Sequence, residues 1–163
     1  MGLFKGTIEE ESIVRNKEQQ RIYEYLTEVP HGCFKKWMTD QEFAMLVEKK
    51  LDALKLKDKA LGRIGLEGIY ASSVFDIDEV SEIPPVNFVD FVTDDAYVKK
   101  TASGDYVSNY IQSTWLFFSS TQVYLYTYTL WLDRDKKKEE TFEYFYKDIT
   151  AMSTSFRESR TKS

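Results

Sequence analysis

The chain predicts an α+β fold, with helices first and then an antiparallel β-meander of five or six strands. Three features of its 163 residues carry this expectation. From Tyr106 to Leu132 there is no charged residue, although charged residues make up 30% of the chain. Within and beyond that stretch, aromatic and β-branched residues alternate at period two, as strands require. The N-terminal part instead shows capping signals and apolar residues at helical spacing.

In chain order, Thr7 with Glu10 fits a capping box, and Glu9 to Glu11 suit the positive end of a helix. A helix is expected over about 8–28, with solvated first turns and Ile22, Tyr23, Tyr25, Leu26 and Val29 as its docking patch. Pro30 and Gly32 end it. Thr39 and Glu42 form a second capping box, with Met38 and Phe43 placed as a hydrophobic staple. Phe43, Leu46, Val47, Leu51 and Leu54 then fall on one stripe. This predicts a helix over 40–54, extending as far as Arg63 before Gly65, with the stripe as its contact to the sheet.

Ile64 to Tyr70 reads as a short strand or the close of that helix, and Asp76 to Glu82 as an acidic turn. Pro84-Pro85 forces extended chain. Strands are expected at 86–92 and 96–100, followed by a turn at Ser103-Gly104-Asp105. Three longer strands follow at about 109–119, 122–132 and 140–147. The polar cluster Ser119 to Gln122 marks one turn, and the charged run Asp133 to Glu139 a second loop. This divides the chain into an N-terminal helical arm at 1–30, one α+β domain at 31–156 and a frayed tail at 157–163.

The uncharged run is long enough to test as a transmembrane helix, with Arg134 and Lys136 to Lys138 as its flank. Its contents oppose that reading. Gln112, Ser113, Thr114, Thr127 and Thr129 interrupt it, and the remainder suits a pleated surface. The N-terminus lacks the apolar core of a signal peptide. Gly6 stands where a myristoylation motif wants Ser or Thr. A net charge of −5 argues against nucleic acid as a partner. One cysteine, Cys33, allows no internal disulfide and fits a cytoplasmic setting.

The residues with chemistry to offer form no complete catalytic or metal constellation. His31 and Cys33 lack further ligands. A calcium loop counted from Asp76 puts Ser81 and Asn87 where Gly and Glu belong. Asp90 with Asp94 and Asp95, and Asp133 with Asp135, are carboxylate pairs that nothing places in a cleft; an enzyme built on them is the least favoured reading. No catalytic residue, metal or cofactor is therefore assigned. The favoured expectation is a non-enzymatic protein-binding module that offers the aromatic sheet face, through Tyr124, Tyr126, Tyr128 and Trp131, to a protein partner or a second copy. The alternative is an anionic ligand or peripheral membrane contact at Arg134, Lys136, Lys137 and Lys138 on the hairpin loop.

Leu116-Phe117-Phe118-Ser119, Val123-Tyr124-Leu125-Tyr126 and the run Tyr146-Lys147-Asp148-Ile149-Thr150-Ala151-Met152-Ser153 resemble the strand order of bacterial PH-like domains. They also resemble a group of uncharacterised bacterial proteins with a similar aromatic block. The likeness spans about 110–155. Such a barrel needs further strands and a closing helix after this block, so the resemblance implies either a sheet completed by the strands at 86–100 or an incomplete, truncated relative. It assigns no site residue.

Overall fold

The computed structural model describes residues 13–28, 37–66 and 83–150. Helix α1 is Lys17–Thr27. It starts later than Thr7 and Glu10 suggest, because Asn16 is the stronger stop for extended chain. The Asn16 Oδ1 accepts the Gln19 backbone N–H at 2.9 Å, and Gln19 Oε1 accepts the Asn16 N–H at 2.9 Å. This is the reciprocal box in an Asn/Gln form. Residues 13–16 are non-helical, and Thr7 with Glu10 lies outside the described residues. The docking patch is as expected in its essentials: Ile22, Tyr25 and Leu26 are buried.

Helix α2, Asp40–Leu54, has the bounds and the capping box that the sequence indicates. Glu42 N–H donates to Thr39 Oγ1, and Thr39 N–H donates to Glu42 Oε2. The extension to residue 63 is not continuous. Lys55 takes the left-handed conformation at φ 46°, and helix α3, Leu56–Ile64, leaves in a new direction. Gly65 ends α3 at φ 74°, a conformation that costs glycine nothing sterically, with Leu66 N–H returning to the Leu61 carbonyl at 2.9 Å.

The six strands are β1 Val86–Phe91, β2 Val98–Lys100, β3 Tyr106–Ser108, β4 Tyr110–Phe118, β5 Gln122–Trp131 and β6 Lys136–Phe145. They make two sheets: a four-stranded antiparallel sheet in the order β1-β4-β5-β6, and a β2-β3 ribbon. The charged loop is shorter than expected. Trp131 pairs with Lys136, so Lys136, Lys137 and Lys138 belong to β6. Lysine and glutamate are poor strand formers in general, which hid this, but on an edge strand they are tolerated and keep the edge from aggregating. Past β6, Tyr146–Asp148 is a 3-10 turn, so the third long strand stops short of 147. Tyr146 clamps the β4–β5 turn, its N–H on the Thr121 carbonyl at 3.0 Å and its hydroxyl on the Ser119 carbonyl at 3.1 Å.

Two apolar clusters hold these elements together. In the first, Ile22, Tyr25 and Leu26 of α1 meet Met38, Phe43, Val47, Val107, Ile111 and Leu132. In the second, Leu56, Ala60 and Leu61 of α3 lie on Phe117, Tyr126 and Tyr128. The staple pair Met38 and Phe43 thus closes α2 onto α1, and α3, rather than the α2 stripe, covers the middle of the sheet. No helix among the described residues is long and apolar enough to cross a membrane.

Candidate binding faces of the sheet and its hairpin

Both faces of β5 carry bulky residues, so alternation alone leaves open which face the helices take. The structure turns the tyrosines inward. Phe117 pairs across with Tyr124, Trp115 with Tyr126 and Ser113 with Tyr128. Tyr126 is fully buried and Tyr128 nearly so beneath α3. Tyr126 donates to Glu139 Oε2 at 3.3 Å. The Lys59 ammonium sits 4.7 Å from the Tyr128 ring. Burial, then the nearby Glu139 carboxylate, raises the Tyr126 pKa above the ordinary tyrosine value; burial also raises that of Tyr128. Neither residue is free to meet a partner, which corrects the expected site. Tyr124 is half-buried, with its hydroxyl taking a hydrogen bond from Gln122 Nε2.

The fourth expected contact, Trp131, lies on the opposite face. It stacks on Tyr110 with ring centroids 4.4 Å apart, and Lys136 Nζ sits 4.3 Å from its ring. That outer face has an apolar half the sequence reading did not single out. Val86, Leu116, Leu125 and Phe142 form one cross-strand row, and Phe118, Val123 and Tyr144 the next. Phe88 is 59% exposed, Phe142 43% and Tyr144 47%. Phe142 and Tyr144 lie on β6 amid charges, and that company masked them. The other half of the face is polar, with the row Asp90, Gln112, Thr129 and Lys138.

At the β5–β6 hairpin, the two carboxylates once paired as a candidate acid site have separate structural duties. Asp133 is wholly buried. Its Oδ1 accepts Asn109 Nδ2 at 2.7 Å and Arg134 Nε at 3.2 Å. Its Oδ2 accepts Arg15 Nη2 at 3.2 Å and Arg134 Nη2 at 3.0 Å. Burial pushes the carboxyl up, but Arg134, Asn109 and Arg15 outweigh it and hold it below the usual range. Asn109 also fixes the backbone, taking the Tyr97 N–H on its side-chain oxygen and the Leu132 N–H on its carbonyl, each at 2.8 Å. Asp135 takes the amide of Gln19 at 2.7 Å, so the N-terminus of α1 rests on the same turn.

Of the expected anion-binding residues, Arg134, Lys136 and Lys137 line one concavity of about 320 Å³ with Trp131 and Asp135. Lys50 of α2 joins them, a cation that no local pattern could assign to this site. Lys50 is held by Glu18 at 2.5 Å. Lys138 stands apart on the outer face, paired with Glu140 at 2.8 Å. Asp94 and Asp95 occupy a turn and Asp90 the edge strand. His31, Cys33 and the stretch 76–82 lie outside the described residues.

No family model, curated protein or solved structure matches the chain, so the sites above stand on their own geometry.

Proposed function

We propose that the chain is a non-catalytic, cytoplasmic protein-binding module of bacterial PH-like kinship whose outer sheet face docks a second copy. The observation that carries this is the exposed apolar half of that face, anchored by Phe88, Phe142 and Tyr144. Strands of 6, 9, 10 and 10 residues, at about 3.3 Å per residue and about 4.8 Å apart, present roughly 550 Å² in plan. Side-chain relief brings that near the ~800 Å² per partner of a standard interface. The polar row is self-complementary, since Asp90 and Lys138 stand at its two ends. A two-fold axis along the strands sets each against the other's counterpart. The single cysteine supports a reducing compartment, and the β4-β5-β6 meander supports the PH-like kinship.

Sedimentation velocity tests this directly. The native chain is expected to dimerise with concentration, and Phe88→Glu with Phe142→Glu to weaken the dimer by about a thousandfold. A chain that stays monomeric into the millimolar range would remove the reading.

A second reading, binding of an anionic ligand or acidic membrane surface, is favoured by the convergence of Lys50 on Arg134, Lys136 and Lys137. Lys136→Glu with Lys137→Glu is then expected to lower partitioning onto phosphatidylserine vesicles by about tenfold or more. Inorganic phosphate in competition separates a free anion from a headgroup. Wild-type chain that ignores both acidic vesicles and phosphate at low salt rules it out.

A further inference from the structure

The inner face has a second opening, away from α3. Between α2 and the edge strand β1 runs a groove of about 610 Å³. Phe43, Val47 and Leu51 form one wall, and Val89 and Phe91 the other. A second hollow of about 360 Å³ continues it past Leu51, Asn87 and Val89 to Trp115. Val89 faces the helices, yet it is 48% exposed. Position on the covered side of a sheet normally buries a valine, so the described residues leave this part of the groove unfilled.

Three properties of the groove define what fits it. Its floor and walls are apolar. Its rim beside α2 is acidic: Asp40, Glu48, Asp52 and Asp105 line it, and Lys55 and Lys57 stand only along the second hollow, with Asp58. Asp40 is already engaged by Tyr25 Oη at 2.6 Å and by the Ala102 N–H at 2.8 Å, whereas Glu48 and Asp52 are exposed and make no ion pair with a described residue. The third property is the edge. In the sheet order β1 is terminal, so its outer main-chain groups are unpaired with any described strand. Glu48 and Asp52 are one helical turn apart, about 6 Å along α2. Side chains on one face of an extended chain repeat at about 6.7 Å, nearly the same interval.

The geometry points to β1 and α2 as the receptor for an extended cationic peptide. Its main chain adds to the β1 edge. Its Lys or Arg side chains face α2, their apolar stems lying between Val47, Leu51 and Val89 and their charged ends reaching Glu48 and Asp52, while the alternate side chains turn away from the helix.

The probe is a fluorescent octapeptide alternating valine and lysine, compared by polarisation with one alternating valine and glutamate, on the full chain. The lysine peptide is expected to bind and to weaken with salt. Glu48→Lys with Asp52→Lys, both on the exposed side of α2, is expected to weaken it by about tenfold or more and to favour the glutamate peptide instead. Val89→Lys is expected to abolish binding of the lysine peptide, while Phe142→Glu, on the far strand β6, leaves it unchanged. Equal affinity for the two peptides, or indifference to the charge reversal, overturns the proposal. So does a native dimer that dissociates on that reversal, which assigns the groove to a second copy. Binding that is gained only when residues 151–163 are removed overturns it too, in favour of this chain's own segment.

Discussion

Asp133→Ala is expected to destabilise the chain by about 3–5 kcal/mol, the cost of removing one member of a buried, hydrogen-bonded charge group. At about 2–4 °C per kcal/mol for a domain of this size, the thermal midpoint falls by roughly 10 °C. The cause is what remains. Arg15 and Arg134 lose their common acceptor, and Asn109, 1% exposed, loses the acceptor of its amide. Asp133 has a folded-state pKa below that of the unfolded chain. Its contribution is therefore complete above the unfolded value near pH 4 and is lost as pH falls through the folded value. Asp133→Asn, which cannot ionise, is expected to flatten that acid limb in urea titrations run from pH 6 downward. An unchanged limb would show that other carboxylates govern acid unfolding.

Tyr126→Ala is expected to cost about 3–5 kcal/mol, because it opens a cavity under α3 among Leu56, Ala60 and Phe117. Tyr126→Phe keeps the ring and gives up one long hydrogen bond to Glu139, so its cost is about 1 kcal/mol or less. Equilibrium denaturation of the two variants separates packing from hydrogen bonding. Self-association of the folded fraction is expected to survive both, since Tyr126 contributes nothing to the outer face. The raised pKa of Tyr126 acts at the other end of the pH scale. The stability it lends is full below the ordinary value of 10.0 and drains as pH rises toward the folded value.

The meander was legible because period-two alternation needs no tertiary information: Val123 to Trp131 states two faces by itself. It does not state which face the helices cover, because Leu125 and Trp131 are as bulky as Tyr124 and Tyr126. That choice is made by Leu56 and Leu61 of α3, whose direction depends on the left-handed turn at Lys55. Helix α2 was legible from Thr39, Glu42 and its stripe. The start of α1 was not, because Thr7 with Glu10 looks a better box than Asn16 with Gln19, and the seat of Gln19 on Asp135 is not visible in the sequence. The basic run was found as residues but misplaced, since the strand bounds at Lys136 are fixed by pairing with Trp131. Lys50 and Arg15 meet the hairpin only through the fold.

The bond from Arg15 to Asp133 spans 118 positions. During synthesis at about 5–20 residues per second, the first described segment leaves the ribosome on the order of ten seconds before its acceptor has been made. Until then the stretch just before α1 holds a cation with nowhere to go, and Asn109, made 24 positions ahead of Asp133, joins it only at the end. Closing this latch is thus a late event: the apolar patch Ile22, Tyr25 and Leu26 emerges well before the strands that will cover it are made, and for that interval it stays unsealed, the period in which a chaperone would be of most use to it.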